Sequence, residues 1–207
     1  MSQLLLATTN PGKIREIVLL LAGVPFDLVT LADRPAVEAP AETGRTFGEN
    51  ARIKATYYAA GAAGVLTVAE DSGLEIDALD RQPGVESARY GGIHSTYADK
   101  FALINRELAA RGALRPAARS ARFVCALAVA AGNAVVFETT GTVEGEIAAS
   151  PRGAAGFGYD PIFLFPPYQR TLAEVTRDEK LAVAHRGKAF RDLAGWLRAR
   201  STDTGTP

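Results

Sequence analysis

The chain has 207 residues, 47% hydrophobic and 22% charged, enough for one substantial core or for two lobes that share one. Its 23 lysines and arginines balance 23 aspartates and glutamates, so no global field recruits nucleic acid or a membrane surface, and any anion site must be local. One cysteine and two histidines exclude an internal disulfide and a zinc cluster.

The N-terminal residues have no basic lead-in and only a short apolar run. Neither a signal peptide nor a membrane span is expected, and the cytoplasm is the default location. Leu4-Leu5-Leu6-Ala7 reads as a strand buried on both faces. A helix is expected over residues 13–21, with Ile14, Ile17, Val18 and Leu21 on one face. Asn10 is placed to cap it and Pro11 to occupy its first position. Phe26–Thr30 is a second strand. Residues 33–44 hold three acids, two prolines and no periodicity, a loop long enough to suggest function. A helix follows over residues 46–63, with Thr46 as its cap and Glu49 at the capping-box position.

The apolar run Gly64-Val65-Leu66-Thr67-Val68-Ala69 enters Glu70-Asp71-Ser72-Gly73, which reads as a turn between two strands, the second alternating over residues 74–79. After Pro83-Gly84 and a loop, residues 97–111 are helical. Strands at 122–130 and 134–140 flank Ala131-Gly132-Asn133, a hairpin signal, and 141–148 is a further strand. A glycine-rich loop at 150–160, a strand-like 161–165 and helices over 176–183 and 185–200 complete the pattern. Residues 201–207 are expected to be a disordered tail. No repeat or linker interrupts the chain, so one mixed α/β domain with two lobes and a groove is predicted over residues 1–200.

Five groups of residues can carry chemistry. In Glu70-Asp71 two adjacent carboxylates end an apolar run, an arrangement that is costly unless a cation, a proton or a substrate uses it. In Thr8-Thr9-Asn10-Pro11-Gly12-Lys13, the cation in a helix's first turn opposes the macrodipole, whereas free N–H groups, hydroxyls and an ammonium converging there make a phosphate cradle. Asn50 and Lys54 lie one turn apart on one helix face, with Glu42 in the loop before them. In Gly156-Phe157-Gly158-Tyr159-Asp160 the glycines impose tight turns around a ring able to stack on a base. Lys180 with His185-Arg186-Gly187-Lys188 is a local basic cluster. Each group also has a purely structural reading: a turn, a helix cap, a solvated face, a loop tucked into the core, and a satisfied histidine.

Six segments in register resemble the Ham1-like family of inosine/xanthosine triphosphate pyrophosphatases. They are residues 7–13, 42–50, 69–74, Pro83-Gly84-Val85-Glu86-Ser87-Ala88-Arg89-Tyr90, residues 156–163 and residues 171–189 with their His-Arg-Gly-Lys. Two departures stand out: Glu70 where many members have Asp, and Thr9 where a glycine is frequent. The resemblance implies an elongated mixed central sheet with flanking helices, two lobes around a substrate cleft, a homodimer and dependence on Mg2+. It also implies roles. Thr8, Thr9, Asn10 and Lys13 would hold the triphosphate, with Lys54 assisting. Asp71 would be general base and metal-associated carboxylate, with Glu42 and Glu70 as further metal ligands. Ser72 would touch substrate, and Phe157, Gly158, Tyr159, Asp160, Lys180, His185 and Arg186 would hold the nucleoside. The expected reaction is attack at the α-phosphorus of ITP, dITP or XTP, releasing pyrophosphate. The alternatives are a Maf-like pyrophosphatase of modified pyrimidine nucleotides and a non-catalytic nucleotide-binding module.

Overall fold

The computed structural model describes residues 2–203, with side chains as far as residue 200. In chain order these residues form β1 (Ser2–Leu6), α1 (Pro11–Leu20), β2 (Phe26–Thr30), α2 (Phe47–Ala60), β3 (Leu66–Ile76), β4 (Gln82–Pro83), α3 (Tyr97–Ala110), β5 (Ser120–Ala131), β6 (Ala134–Ile147), β7 (Phe163–Phe165), β8 (Arg170–Thr171), α4 (Arg177–Val183) and α5 (His185–Asp203). The strands form a mixed sheet in the order β2-β1-β3-β5-β6-β7-β8, with β4 paired to β3. β1 runs parallel to both neighbours, Leu5 lying opposite Val29 on β2 and Thr67 on β3. The β3–β4, β6–β7 and β7–β8 pairs are antiparallel.

Helix starts follow local chemistry. The Asn10 side chain accepts from the Gly12 and Lys13 N–H groups, with Pro11 next to it, as its position at the head of α1 predicts. Thr46 and Glu49 form a capping box on α2, and Thr96–Asp99 and Thr176–Glu179 do the same for α3 and α4.

The chain divides into two compact units. The first comprises Met1–Asp71, Cys125–Gly141 and the chain from His185 onward; the second comprises Ser72–Val124 and Thr142–Ala184. In the first unit each sheet face has its own helices. Leu4, Leu6, Val68, Leu127 and Val129 pack with Ile17 of α1, with Leu21 at its end and with Phe190, Leu193 and Leu197 of α5. Each fully buried side chain of this kind contributes about 1.5–3 kcal/mol. On the opposite face Ala69, Ala128 and Ala130 meet Ala51, Ala55 and Ala59 of α2, an all-alanine contact that lets the helix backbone lie close to the strands. At Gly141 on β6 an added Cβ would stand 2.1 Å from the His185 carbonyl oxygen, so the first turn of α5 rests directly on strand backbone. In the second unit α3 contributes Phe101, Ile104 and Leu108 to a core with Leu74, Ile76, Phe123, Val143 and Phe163.

Four expectations are corrected. Residues 70–73 are not a turn: β3 runs unbroken from Leu66 to Ile76. Between β1 and β5 its backbone has ladder partners, and those override the local turn preference of Asp-Ser-Gly. The strands expected at 134–140 and 141–148 are one strand, β6, with Gly141 tolerated inside it because of its contact with α5. Residues 160–162 are a turn of 3-10 helix that precedes β7. Finally, α5 continues to Asp203, into the segment read as a tail; residues 204–207 lie outside the described residues.

Candidate active site

The unbroken course of β3 changes the meaning of its two carboxylates. Successive residues of a strand point to opposite faces. Glu70 therefore continues the Val68 side toward α1 and α5, and Asp71 continues the Ala69 side toward α2. They do not share one spot, as the sequence suggests; their direct cation contacts differ, Arg186 and Lys13 for Glu70 and Lys54 for Asp71, although Lys13 and Lys54 are each close enough to act on both charges.

Glu70 is buried beneath the start of α5. Its Oε1 accepts from Arg186 Nε at 2.9 Å, and its Oε2 lies 3.4 Å from Lys13 Nζ and 3.5 Å from the Cys125 thiol. Arg186, 2% exposed, also donates from Nη1 to Glu16 Oε2 at 2.7 Å. Burial pushes Glu70 upward, but Arg186, Lys13 and Lys54 together hold it well below the usual carboxylate range. For Arg186, burial is likewise outweighed by Glu70 and Glu16, which keep the guanidinium charged. Burial and the neighbouring Glu70 charge raise the Cys125 thiol, so it stays protonated as a small core residue.

Asp71 lies on the other face. Its Oδ2 accepts from Asn50 Nδ2 at 3.0 Å, and its Oδ1 is 3.2 Å from Lys54 Nζ. The same ammonium contacts Glu42 Oε1 at 2.6 Å. Asn50, fully buried, accepts from the Gly44 N–H at 2.8 Å, which ties the loop before α2 to the carboxylate. An added Cβ on Gly44 would stand 2.6 Å from Asn50 Oδ1, so this close approach requires glycine. Burial raises the Asp71 pKa, and Lys54 and Asn50 only partly offset it. For Lys54 the order is reversed: burial lowers its pKa, but Asp71 and Glu42 more than compensate, so it is held charged. A buried carboxylate with increased proton affinity, fixed by an amide and an ammonium, is suited to accept a proton.

Among the described residues no group of three or more His, Cys, Asp and Glu side chains is gathered as metal ligands. The expected set of Asp71, Glu42 and Glu70 is not assembled, because strand alternation sends Glu70 to the opposite face. Asp71 and Glu42 do converge on one cation, the Lys54 ammonium. Two carboxylates beside a polyphosphate are a donor set that suits magnesium, which usually keeps several of its waters.

The cradle at residues 8–13 is also narrower than the sequence suggests. Asn10 Oδ1 occupies the Gly12 and Lys13 N–H groups at 2.9 and 3.2 Å, and Thr8 Oγ1 accepts from the Asn10 N–H at 3.2 Å. The hydroxyl groups and the Lys13 ammonium, which lies 3.4 Å from Glu70 Oε2, remain as polar groups of this segment. His185, 5% exposed, opens α5 next to Arg186.

The second unit holds the remaining expected residues. Asp160 Oδ2 accepts from Lys180 Nζ at 2.6 Å and from the Phe157 N–H at 2.8 Å. Lys180 Nζ also stands 4.7 Å from the centre of the Phe157 ring, a cation–π contact that sets the ring's position. Gly156, at φ +75°, passes so close that a Cβ there would lie 2.1 Å from Asp160 Oδ2. Tyr159 donates to the Ser87 carbonyl at 2.8 Å, and the Ser87 hydroxyl accepts from the Leu74 N–H at 2.9 Å. Ser72 is half-buried on β3. Lys180 and Asp160, both read from the sequence as substrate contacts, are thus each other's buried partners.

One participant escapes the sequence reading. Glu16 is absent from it; its signal is a position next to Ile17 on the buried side of α1. The role of Asn50 as partner of Asp71 is foreshadowed by its one-turn spacing from Lys54.

Known proteins resemble this chain over nearly its whole length. The sequence profile of the Ham1 family matches residues 4–196. A dITP/XTP pyrophosphatase of Exiguobacterium is 46% identical over 191 residues, 92% of this chain and 94% of the relative. One from Bacillus subtilis is 42% identical over 199 residues, 96% of this chain and 98% of the relative. The solved structure of a HAM1 protein from Coxiella burnetii superposes with a TM-score of 0.85 at 40% identity, covering 95% of this chain and 98% of the other. With the fold, the six segments and these relatives in agreement, the chain belongs to the Ham1 family.

Proposed function

We propose that this chain is a hydrolase that converts non-standard purine nucleoside triphosphates (dITP, XTP and ITP) to the nucleoside monophosphate and pyrophosphate, with Asp71 as general base. The observation that carries the reading is the Asp71 carboxylate, buried, raised in proton affinity and held by Asn50 and Lys54 beside Glu42. The names of the relatives, dITP/XTP pyrophosphatase, support the substrate class.

In the proposed reaction a water oxygen bonds to the α-phosphorus and its proton passes to Asp71. The bond from that phosphorus to the bridging oxygen breaks, and pyrophosphate leaves with the electron pair. Lys13, with the Thr8 and Thr9 hydroxyls, and Lys54 stabilise charge on the departing phosphates. Asn10 shapes this segment as the cap of α1, and Arg186, through Glu70, holds Lys13 in place. Glu42 and Asp71 would hold magnesium, which supplies charge neutralisation and a more acidic water when bound. In the second unit the Phe157 ring stacks on the base, fixed by Lys180, Gly158, Tyr159 and Asp160; Ser72 and His185 are further proposed contacts. A 6-oxo purine offers an acceptor where adenine offers a donor, and each buried donor left unpaired costs about 1–3 kcal/mol, enough for tenfold to hundredfold selectivity.

We also propose a cytoplasmic homodimer, checked by light scattering; no helix of the described residues is long and apolar enough to cross a membrane. The test of function is purified protein with magnesium and, in parallel, with a chelator, offered ITP, dITP, XTP, GTP, ATP and pyrimidine triphosphates. Pyrophosphate release from the first three, dependent on the metal, is the expected result. Release of phosphate alone, or turnover confined to pyrimidine nucleotides, overturns the reading.

A further inference from the structure

Tyr97 is the first residue of α3, in the second unit. Its ring stands edge-on to Tyr159 at 5.4 Å between centroids and tilted against Phe101 at 6.1 Å, with the Lys100 ammonium 4.8 Å from its centre. Three neighbours thus fix the direction of the phenol. The hydroxyl stands beside Gly158, where an added Cβ would lie 3.5 Å from it. Gly158 is at φ +68° and bears no side chain, so the approach to this hydroxyl stays open from the loop.

The surrounding polar groups are engaged. Tyr159 donates to the Ser87 carbonyl, Lys100 to the Ala88 carbonyl, and Lys180 and the Phe157 N–H to Asp160. No hydrogen bond from the described residues reaches the Tyr97 hydroxyl, and the residue is 43% exposed. Burial of the ring and the charge of Asp160 both raise its pKa, so the group is a neutral hydroxyl able to donate.

We infer that the Tyr97 hydroxyl is a hydrogen-bonding contact for the purine nucleoside of the substrate, on the Gly158 side of the loop formed by residues 156–160. The inference rests on the function proposed above and adds a binding residue that no sequence motif of this chain marks. It accounts for a phenol positioned by three side chains while its polar end has no partner among the described residues.

The test is Tyr97→Phe, which keeps the ring and its packing and removes one oxygen. Loss of one neutral hydrogen bond to bound substrate raises KM about three- to tenfold. The expectation is that rise with kcat within about twofold of native and an unchanged melting temperature. A rise for ITP but not for dITP assigns the contact to the ribose 2′-hydroxyl; a rise for both assigns it to the base or to a sugar oxygen that the two share, and either result supports the inference. KM values equal to native for ITP, dITP and XTP overturn it. So does a lowered melting temperature with lower kcat and native KM, which makes the hydroxyl purely structural. Failure of the parent reading looks different: the native protein then releases no pyrophosphate from any of these nucleotides.

Discussion

Asp71→Asn is expected to lower kcat by about 10²–10⁴-fold, the range that a positioned general base supplies. The substitution is nearly isosteric, so the fold around α2 is retained. An amide at this position still accepts from one of its two donors, Asn50 or Lys54, and turns its own N–H toward the other. That mismatch costs about 1–3 kcal/mol, a modest fraction of the stability of a folded domain. Circular dichroism and thermal melting check the fold, and calorimetric titration with nucleotide checks that binding survives. Pyrophosphate release at the native rate would remove Asp71 from the role of base. Unimpaired binding with turnover gone is the outcome that separates an enzyme from a binding module.

The second large effect concerns stability. Arg186→Met leaves Glu70 and Glu16 without the guanidinium that serves both, with side chains only 1% and 11% exposed. Removing one partner of a buried charge pair costs about 3–5 kcal/mol. In a domain of this size that corresponds to a fall in melting temperature on the order of 10 °C. Adding Glu70→Gln to Arg186→Met recovers part of the loss by removing one orphaned charge. Melting within 2 °C of native for Arg186→Met would show that the pair does not hold this region together.

The same pair sets a limit at low pH. Glu70 has a depressed pKa in the folded state and an ordinary one, about 4.3, when unfolded. The folded state thus binds fewer protons there, and the stability gained is complete above the unfolded value. It is lost as pH falls below about 4.3 toward the folded value. In Arg186→Met this part of the acid limb flattens.

Much of the fold is legible where its cause is local. Phe26–Thr30 is a strand with the expected limits, and Asn10, Thr46 and Glu49 cap helices as their spacing predicts. The shared face of Asn50 and Lys54 is legible for the same reason, since one helical turn places them together. Residues 70–73 are misread because Asp-Ser-Gly carries a real local turn preference, whereas the ladder that overrides it comes from strands distant in sequence. The Arg186–Glu16 pair spans 170 residues, beyond the reach of any spacing rule. Lys180 and Asp160 are both recognisable as chemically active residues, but only the folded chain shows them bound to each other.

Because β3 directs Glu70 and Asp71 to opposite faces, inserting or deleting a single residue between Leu66 and Glu70 turns each toward the face that the other now occupies. Glu70 then turns away from Arg186, and Asp71 away from Asn50 and Lys54. The irregular residues 34–41 carry no such parity. Length variation among relatives is therefore expected to concentrate in that loop and to be absent from β3. Any viable change of length in β3 should come in pairs of residues.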